Sequence, residues 1–388
     1  MGHVVLLGAG FSKALSPHMP LLPDLGERVM DELDGQGRDE LAQFAGNVEE
    51  YLTYIGTDQP WLSDEENLRH RARFSETVTA LRQVIVDAEA HARAAGLPDW
   101  LDRVAWQWSR EQAAVLTFNY DLLLDWALRT AGGVGALADL YMVPLVERLP
   151  AGSGHFLSAG PPRDTSAELY KLHGSVNWLH GGDAAPITEP LVLDGRANVP
   201  DESPRHERVY GGLRTFIVPP TSVKNRYYDR VGVRAQWISA AQRLRNATRL
   251  TVIGYSLPLS DVGSSSFIRT NLSPSATISV VDFNAAAAER FGALLQRPAC
   301  WHPEINSWLS SDVPAKVEWW VTEQRADLVV PRLEVNGVDE SAQLPSVRDA
   351  AELDAAVTTL FAVGDIERNV LVDGLLINRG WAPPPSAG

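Results

Sequence analysis

The stretch Val4-Val5-Leu6-Leu7-Gly8-Ala9-Gly10-Phe11-Ser12 decides the fold class of this 388-residue chain. Its four consecutive aliphatic residues carry no polar alternation, which is the pattern of a strand buried on both faces in a parallel sheet. The run stops at Gly8-Ala9-Gly10, and helical spacing follows, so the segment reads as strand, tight turn, helix. Glycines in such a turn let backbone approach a pyrophosphate while the first helical amides face it; a purely structural turn is the equal alternative. Lys13 stands where the dehydrogenase fingerprint has its third glycine, and no Walker lysine pattern is present. Hydride transfer and P-loop nucleotide hydrolysis are therefore disfavoured.

Working outward, the same pattern returns at residues 113–118, an apolar run that ends in Asn119-Tyr120-Asp121 and gives way to helical spacing over 122–129. Further strands are expected at 215–218, 250–253 and 277–281, with a helix over 235–246. Strands alternating with helices predict an α/β fold: a Rossmann-like, doubly wound parallel sheet with helices on both faces. About a hundred residues separate the first two strands, far more than a crossover needs. Residues 40–54, 65–95 and 100–110 carry apolar positions at three and four spacing, so 25–110 reads as a helical insertion. The resulting organisation is a discontinuous domain over 1–24 and 111–310, the insertion, and a C-terminal extension over 311–388. Residues 150–164 and 181–212 read as loops, the second long enough for a lid, and the extension reads as a few strands with a frayed Pro383-Pro384-Pro385 end.

A length near 388 residues, at roughly 150 per domain, allows two compact units or one core with an insertion. Lys plus Arg number 34 against 49 Asp plus Glu, a net charge of −15 that disfavours nucleic acid and anionic lipid as partners. The single cysteine, Cys300, closes no intramolecular disulfide and builds no four-ligand zinc site, which suits a reducing cytoplasm. No apolar run approaches the roughly 18 residues of a spanning helix, so no membrane association is expected.

Four strand-end turns hold the chemistry-bearing residues. Asn119 and Asp121 follow the second strand, where open α/β sheets place ligands, although both are also ordinary turn formers. His173, in Lys171-Leu172-His173-Gly174-Ser175, has an unperturbed pKa suited to base work, although a lone histidine is more often structural. Gly254-Tyr255-Ser256-Leu257-Pro258 with Asp261 forms another small-residue turn, and Val280-Val281-Asp282 closes a strand on a carboxylate able to accept from a ribose hydroxyl. The positions Leu41, Phe44, Val48, Tyr51, Leu52 and Ile55 follow helical spacing, which means packing within the insertion or a subunit interface.

Together, in this order, the turns resemble the sirtuin superfamily, and more closely its bacterial sirtuin-like branch associated with NAD consumption in antiphage defence. Gly8-Ala9-Gly10-Phe11-Ser12 is similar to the family's Gly-Ala-Gly-x-Ser loop, Thr117-Phe118-Asn119-Tyr120-Asp121 to its Thr-Gln-Asn-Ile-Asp segment, and His173-Gly174-Ser175 to the segment with its catalytic histidine. Gly254-Tyr255-Ser256-Leu257-Pro258 resembles the later Gly-Thr-Ser-Leu turn, and Asp282 with Asn284 stands where the family closes on adenosine. Pro219-Pro220-Thr221 and Lys224 resemble a segment of the bacterial branch and read equally as a rigid turn. The resemblance covers roughly 4–22 and 113–290 and leaves the insertion and extension outside.

The departures narrow what the resemblance implies. Deacylating sirtuins carry a four-cysteine zinc module, and this chain has one cysteine, so no zinc is expected and protein deacylation is in doubt. The implied activity is an NAD+ hydrolase, with NAD+ as substrate, releasing nicotinamide and ADP-ribose. The implied catalytic residues are Asn119, orienting ribose and water, His173 as base, and Asp121 on the carboxamide. Gly8, Ala9, Gly10, Phe11 and Ser12 would hold the pyrophosphate, and Gly254, Ser256 and Asp282 the adenosine side. An enzyme that depletes NAD+ needs control, so a homo-oligomer and a trigger, such as a ring ATPase partner or a phage-derived signal, are expected. The alternatives are an ADP-ribosyl or deacyl transferase and a non-catalytic NAD+ or ADP-ribose sensor.

Overall fold

The computed structural model describes residues 2–98, 100–131, 134, 137–148, 155–158, 166–182, 185–194, 213–222, 224–258, 260–305 and 308, and strands at 317–325, 328–335, 338–339, 371–372 and 375–376. The opening run forms β1 (Gly2–Leu7), and the turn at Gly8 leads into α1 (Ala9–Leu15). The insertion follows as α2 (Leu22–Glu32), α3 (Gly35–Ala42), α4 (Val48–Ile55), the long α5 (Asp64–Ala95) and α6 (Trp100–Arg110). Ser63 starts α5 with a reciprocal cap: its Oγ accepts from Glu66 N–H at 3.3 Å, and its own N–H donates to Glu66 Oε2 at 2.8 Å. The helix expected over 40–54 is broken in two, because Ala45 (φ 52°) and Gly46 (φ 74°) turn left-handed between α3 and α4. Apolar spacing ran on through that break, and only the Gly46-Asn47 pair signalled it.

Beyond the insertion come β2 (Ala114–Thr117), α7 (Leu123–Ala131), β3 (Leu145–Arg148), β4 (His155–Ser158), β5 (Glu168–Lys171), β6 (Gly174–His180), β7 (Leu191–Leu193), β8 (Arg214–Ile217) and the short α8 (Asn225–Tyr228). The chain then alternates regularly: α9 (Val231–Arg245), β9 (Ala247–Ile253), α10 (Val262–Asn271), β10 (Thr277–Val281), α11 (Ala286–Leu295) and β11 (Cys300–His302). The main sheet runs β11-β10-β9-β1-β2-β5, parallel throughout. Numbered by appearance within the sheet, that is the order 3-2-1-4-5-6 read from the other side, the doubly wound arrangement.

The absence of alternation in β1 has a direct cause. Val5 and Leu7 pack into one hydrophobic cluster with Phe11 and Leu15 of α1 and with Leu81 and Val84 of α5, while Val4 and Leu6 pack into another with Leu244 of α9, Ile268 of α10 and Phe291 of α11. Helices thus cover both faces, and each buried aliphatic side chain contributes roughly 1.5–3 kcal/mol. The insertion shares the first cluster, and Phe11 meets Trp100 edge-on at 5.8 Å.

A second, five-stranded sheet in the order β4-β3-β7-β6-β8 lies outside the expected alternation. The strand foreseen at 215–218 belongs here, antiparallel to β6, and not to the parallel sheet. Two strands also stand inside stretches read as loops, β4 within 150–164 and β7 within 181–212; the remainder of 195–212 falls outside the described residues, as does the Pro383-Pro384-Pro385 end. The extension contributes β12 (Val317–Arg325), β13 (Leu328–Val335) and β14 (Val338–Asp339) in one antiparallel sheet, and β15 (Leu371–Val372) with β16 (Leu375–Leu376) in another. No helix among the described residues is long and apolar enough to cross a membrane.

Candidate functional site

The parallel strands end level. Leu7 pairs with Thr117 and Ile253, Ile253 with Val281, and Thr117 with Lys171, so the turns after β1, β2, β5, β9 and β10 line one carboxyl edge. β1 stands where the strand order reverses, between β2 and β9, which is where open α/β sheets form their ligand crevice.

At that point two glycine turns meet backbone to backbone. Gly8 N–H donates to Ile253 O at 3.1 Å, Gly10 N–H to Gly254 O at 2.9 Å, and Phe11 N–H to Gly8 O at 2.9 Å. A Cβ on Gly254 would sit 2.2 Å from Phe11 N, and Gly254 has φ +62°. The amides of Gly8, Gly10 and Phe11, expected to face a pyrophosphate, are thus engaged within the protein, and the glycines let the two turns touch.

The side chains beside this contact form one connected set. Asn119 Nδ2 donates to Gly8 O and to Ser12 Oγ, both at 2.9 Å, and Ser12 Oγ donates to Asp121 Oδ2 at 2.7 Å. Asp121 Oδ1 accepts from Leu123 N–H at 3.2 Å, which caps the start of α7. Beneath lies Lys171, fully buried, whose Nζ donates to Asp121 O at 2.5 Å and reaches both Asp125 oxygens at 3.1 Å. Tyr141 donates to Asp125 at 2.6 Å and accepts from Asn177 Nδ2 at 2.9 Å. Burial holds the Asp125 carboxyl above the usual range against the pull of Lys171 and Tyr141. The sequence reading missed Lys171 as a member of this set. Its signal was a lysine inside the apolar text Leu169-Tyr170-Lys171-Leu172, which must find a partner if buried.

His173 stands across Phe118, ring centroids 4.6 Å apart, and is only 6% exposed. Tyr228 of α8 closes over it, its hydroxyl 3.3 Å from Nε2, and Trp237 packs edge-on against Tyr228. Burial, reinforced by the Lys224 cation and opposed by Asp261, pushes the imidazole down to about 3, so it is neutral and weakly basic. Lys224 pairs with Asp261 at 3.3 Å, and Tyr255 donates to the same carboxylate at 2.9 Å. Burial works against the Asp261 carboxylate, and Lys224, His173 and the hydroxyls of Ser264 and Tyr255 outweigh it and lower its pKa.

The far end of the edge is sparser. Ser256 is exposed and its carbonyl accepts from Arg290 Nε at 2.7 Å; Asp282 Oδ1 accepts from Asn284 N–H at 2.9 Å; Phe283 is 83% exposed. The structure therefore brings Gly8, Gly10, Ser12, Asn119, Asp121 and Gly254 into one contact network, sets His173 beside it, and leaves Ser256 and Asp282 outside that network on the same edge. Two surface cavities, of about 210 and 310 Å³, lie on the insertion and not here. Among the described residues, no group of three or more His, Cys, Asp or Glu side chains is arranged to hold a metal ion.

No protein-family model matches the chain, and no curated protein matches it. Among solved structures, one described as "Structural Basis for the Mechanism and Regulation of Sir2 Enzymes" is similar over 77% of this chain and 85% of that one, at 12% identity and a TM-score of 0.31. A superposition that loose transfers no residue and no role.

Proposed function

We propose that this chain is a sirtuin-like NAD+ hydrolase that cleaves the nicotinamide glycosidic bond and releases nicotinamide and ADP-ribose. The observation that carries the reading is the connected set Gly8–Asn119–Ser12–Asp121 at the strand-order reversal, with a neutral histidine beside it. Two separate motifs, more than a hundred residues apart in sequence, supply that one set.

The chemistry asks little of a general acid, because nicotinamide leaves from an already cationic pyridinium. The main demand is to stabilise an oxocarbenium-like ribose and to aim a water at it. Both hydrogens of the Asn119 amide are committed, to Gly8 O and Ser12 Oγ, which fixes the group and leaves Oδ1 as the atom able to orient a ribose hydroxyl or a water. Both Asp121 oxygens accept from within the protein, so a carboxamide contact by Asp121 displaces one of those bonds; its standing role is to hold Ser12. His173 accepts a proton from ribose hydroxyl or water. Its basicity in the closed arrangement is low, and displacement of Tyr228 and Lys224 would raise it. The Gly8, Gly10 and Phe11 amides are engaged within the protein, so the pyrophosphate would meet this turn at exposed Ala9, with Ser256 and Asp282 toward adenosine.

Occlusion of His173 favours an enzyme that is silent until triggered, in keeping with NAD+ depletion in antiphage defence by a cytoplasmic homo-oligomer that a ring ATPase or a phage-derived signal switches on. The test is a mass-spectrometric product assay with NAD+. His173→Ala and Asn119→Ala each reduce nicotinamide release by about 100-fold or more, the range spanned by general base and positioning losses, while retaining the wild-type melting profile. Full activity in either folded variant sinks the assignment. ADP-ribose appearing on an added acceptor in place of the free product would select a transferase, and tight NAD+ binding without turnover would select a sensor.

A further inference from the structure

The helical insertion is bonded to both walls of the candidate site. On one side Glu89 of α5, only 8% exposed, accepts the N–H of Leu122 at 2.9 Å through Oε2, while its Oε1 accepts from Arg93 at 2.7 Å. Leu122 is the residue between Asp121 and the first turn of α7, so this bond pins the turn that carries Asn119 and Asp121. Arg93 in turn lies over the Trp126 ring of α7 at 5.1 Å, which fixes the carboxylate from behind. On the other side Thr53 of α4 accepts the N–H of Ser222 at 2.9 Å and lies 3.3 Å from Thr221 Oγ1. Those residues belong to the stretch that leads to Lys224 and Tyr228, the groups closing over His173.

A buried carboxylate is a costly way to satisfy one backbone amide, and a main-chain or water acceptor would serve the turn equally well. Its use here, from a helix more than thirty residues away in sequence, ties the position of the turn to the position of α5. We infer that Glu89 is a positioning residue: through Leu122 it holds Asn119 and Asp121 in register with Ser12, and with Thr53 it makes the insertion the element that sets the geometry of the site. A ligand or subunit that shifts α4 and α5 then moves both walls together. This inference rests on the hydrolase reading for its catalytic consequence, and its structural consequence can be measured without it.

The experiment compares Glu89→Leu and Glu89→Gln in the full chain by amide hydrogen exchange and by NAD+ turnover. Glu89→Leu is expected to speed exchange of residues 118–123 by about tenfold or more while β1 and β9 stay protected, and to lower kcat by about 10- to 100-fold with KM changed less than threefold, as for a misplacement of about 1 Å. Glu89→Gln keeps an acceptor for Leu122 N–H without the charge and should restore both readouts to within about threefold. If Glu89→Leu does not fold, the same comparison is made between Glu89→Gln and Thr53→Val, which releases the opposite wall at 218–224. Unchanged exchange at 118–123 in Glu89→Leu overturns the inference, as does faster exchange with kcat unaltered. A wild-type chain that never cleaves NAD+ sinks the hydrolase reading instead, and the exchange arm alone then decides whether Glu89 holds the turn.

Discussion

At the amino edge of the main sheet, His3 Nδ1 lies 2.7 Å from Glu111 Oε2 and its Nε2 lies 3.0 Å from Thr251 Oγ1; at the carboxyl edge, the His173 imidazole stands against Phe118 with the Tyr228 hydroxyl 3.3 Å from Nε2. Judged by residue type, the first cluster is the better candidate for chemistry, because hydroxyl, imidazole and carboxylate stand in a row as in a nucleophilic triad. Its backbone setting says otherwise. Thr251 is fully buried inside β9, and Arg249 caps the carboxylate at 2.9 Å. The carboxyl edge has poorer residue types on paper and the better backbone: glycine turns in contact, helix starts, and loops closing from above. A parallel sheet spends one end on anchoring its strands and the other on its turns, and the location of a histidine on that axis is more informative than its neighbours.

Gly254→Ala is the strongest way to break the contrast. The added Cβ would have to occupy the space of Phe11 N, at a positive φ that disfavours any side chain. A loss of at least roughly 3 kcal/mol is expected, read as a large drop in melting temperature, since backbone cannot yield as a side chain would. Near-wild-type stability would mean that the two turns are not in contact as described.

The amino edge should respond in stability and pH, and not in turnover. Burial raises the Glu111 carboxyl, but the hydrogen bond from His3, the charges of His3 and Arg249, and Gln107 outweigh it and hold the group down to about 2. A depressed folded-state value means that the contribution is complete above the unfolded value of 4.5 and disappears as pH falls through about 2. Glu111→Gln should therefore cost about 2 kcal/mol at neutral pH, allowing for partial exposure, and flatten the acid limb of stability between these values. Denaturant titrations at pH 7 and pH 3 check the sign: the gap between the two proteins must narrow at the lower pH. A variant that also loses NAD+ cleavage while still folded would contradict the assignment of this edge to anchoring.

The same backbone logic separates what was legible in the sequence from what was not. β1, β2, β9 and β10 are buried on both faces, so their apolar runs stood out, and Gly8 and Gly254 marked the turns that follow. β5 was illegible because only Leu169 and Tyr170 are apolar between Glu168 and the terminal Lys171, and a buried lysine is stabilised by Asp125 from another element, which no local pattern reveals. β11 is a short edge strand with Cys300 and Trp301 exposed, and has no buried face to advertise. Asn119, Asp121 and His173 were singled out by motif, whereas Glu89 and Thr53 were not, because their partners are backbone amides 33 and 169 residues away.

The smallest expected effect sharpens the comparison from the carboxyl side. Asp282 sits at the end of β10, where Oδ1 accepts from Asn284 N–H and Trp301 Nε1 donates to its carbonyl at 2.8 Å. Asp282→Asn keeps a side-chain oxygen for the Asn284 amide, so stability should stay within about 0.5 kcal/mol. On the proposed reading it removes the charge that would accept a ribose hydroxyl, and a lost charged hydrogen bond of about 1.5 kcal/mol should raise KM for NAD+ roughly tenfold with kcat little changed. Uniform binding lost without a change in kcat is the signature of a contact remote from the bond being cleaved. A fall in kcat with KM unaltered would place Asp282 at the reacting ribose and reverse the direction in which the dinucleotide is laid along the edge.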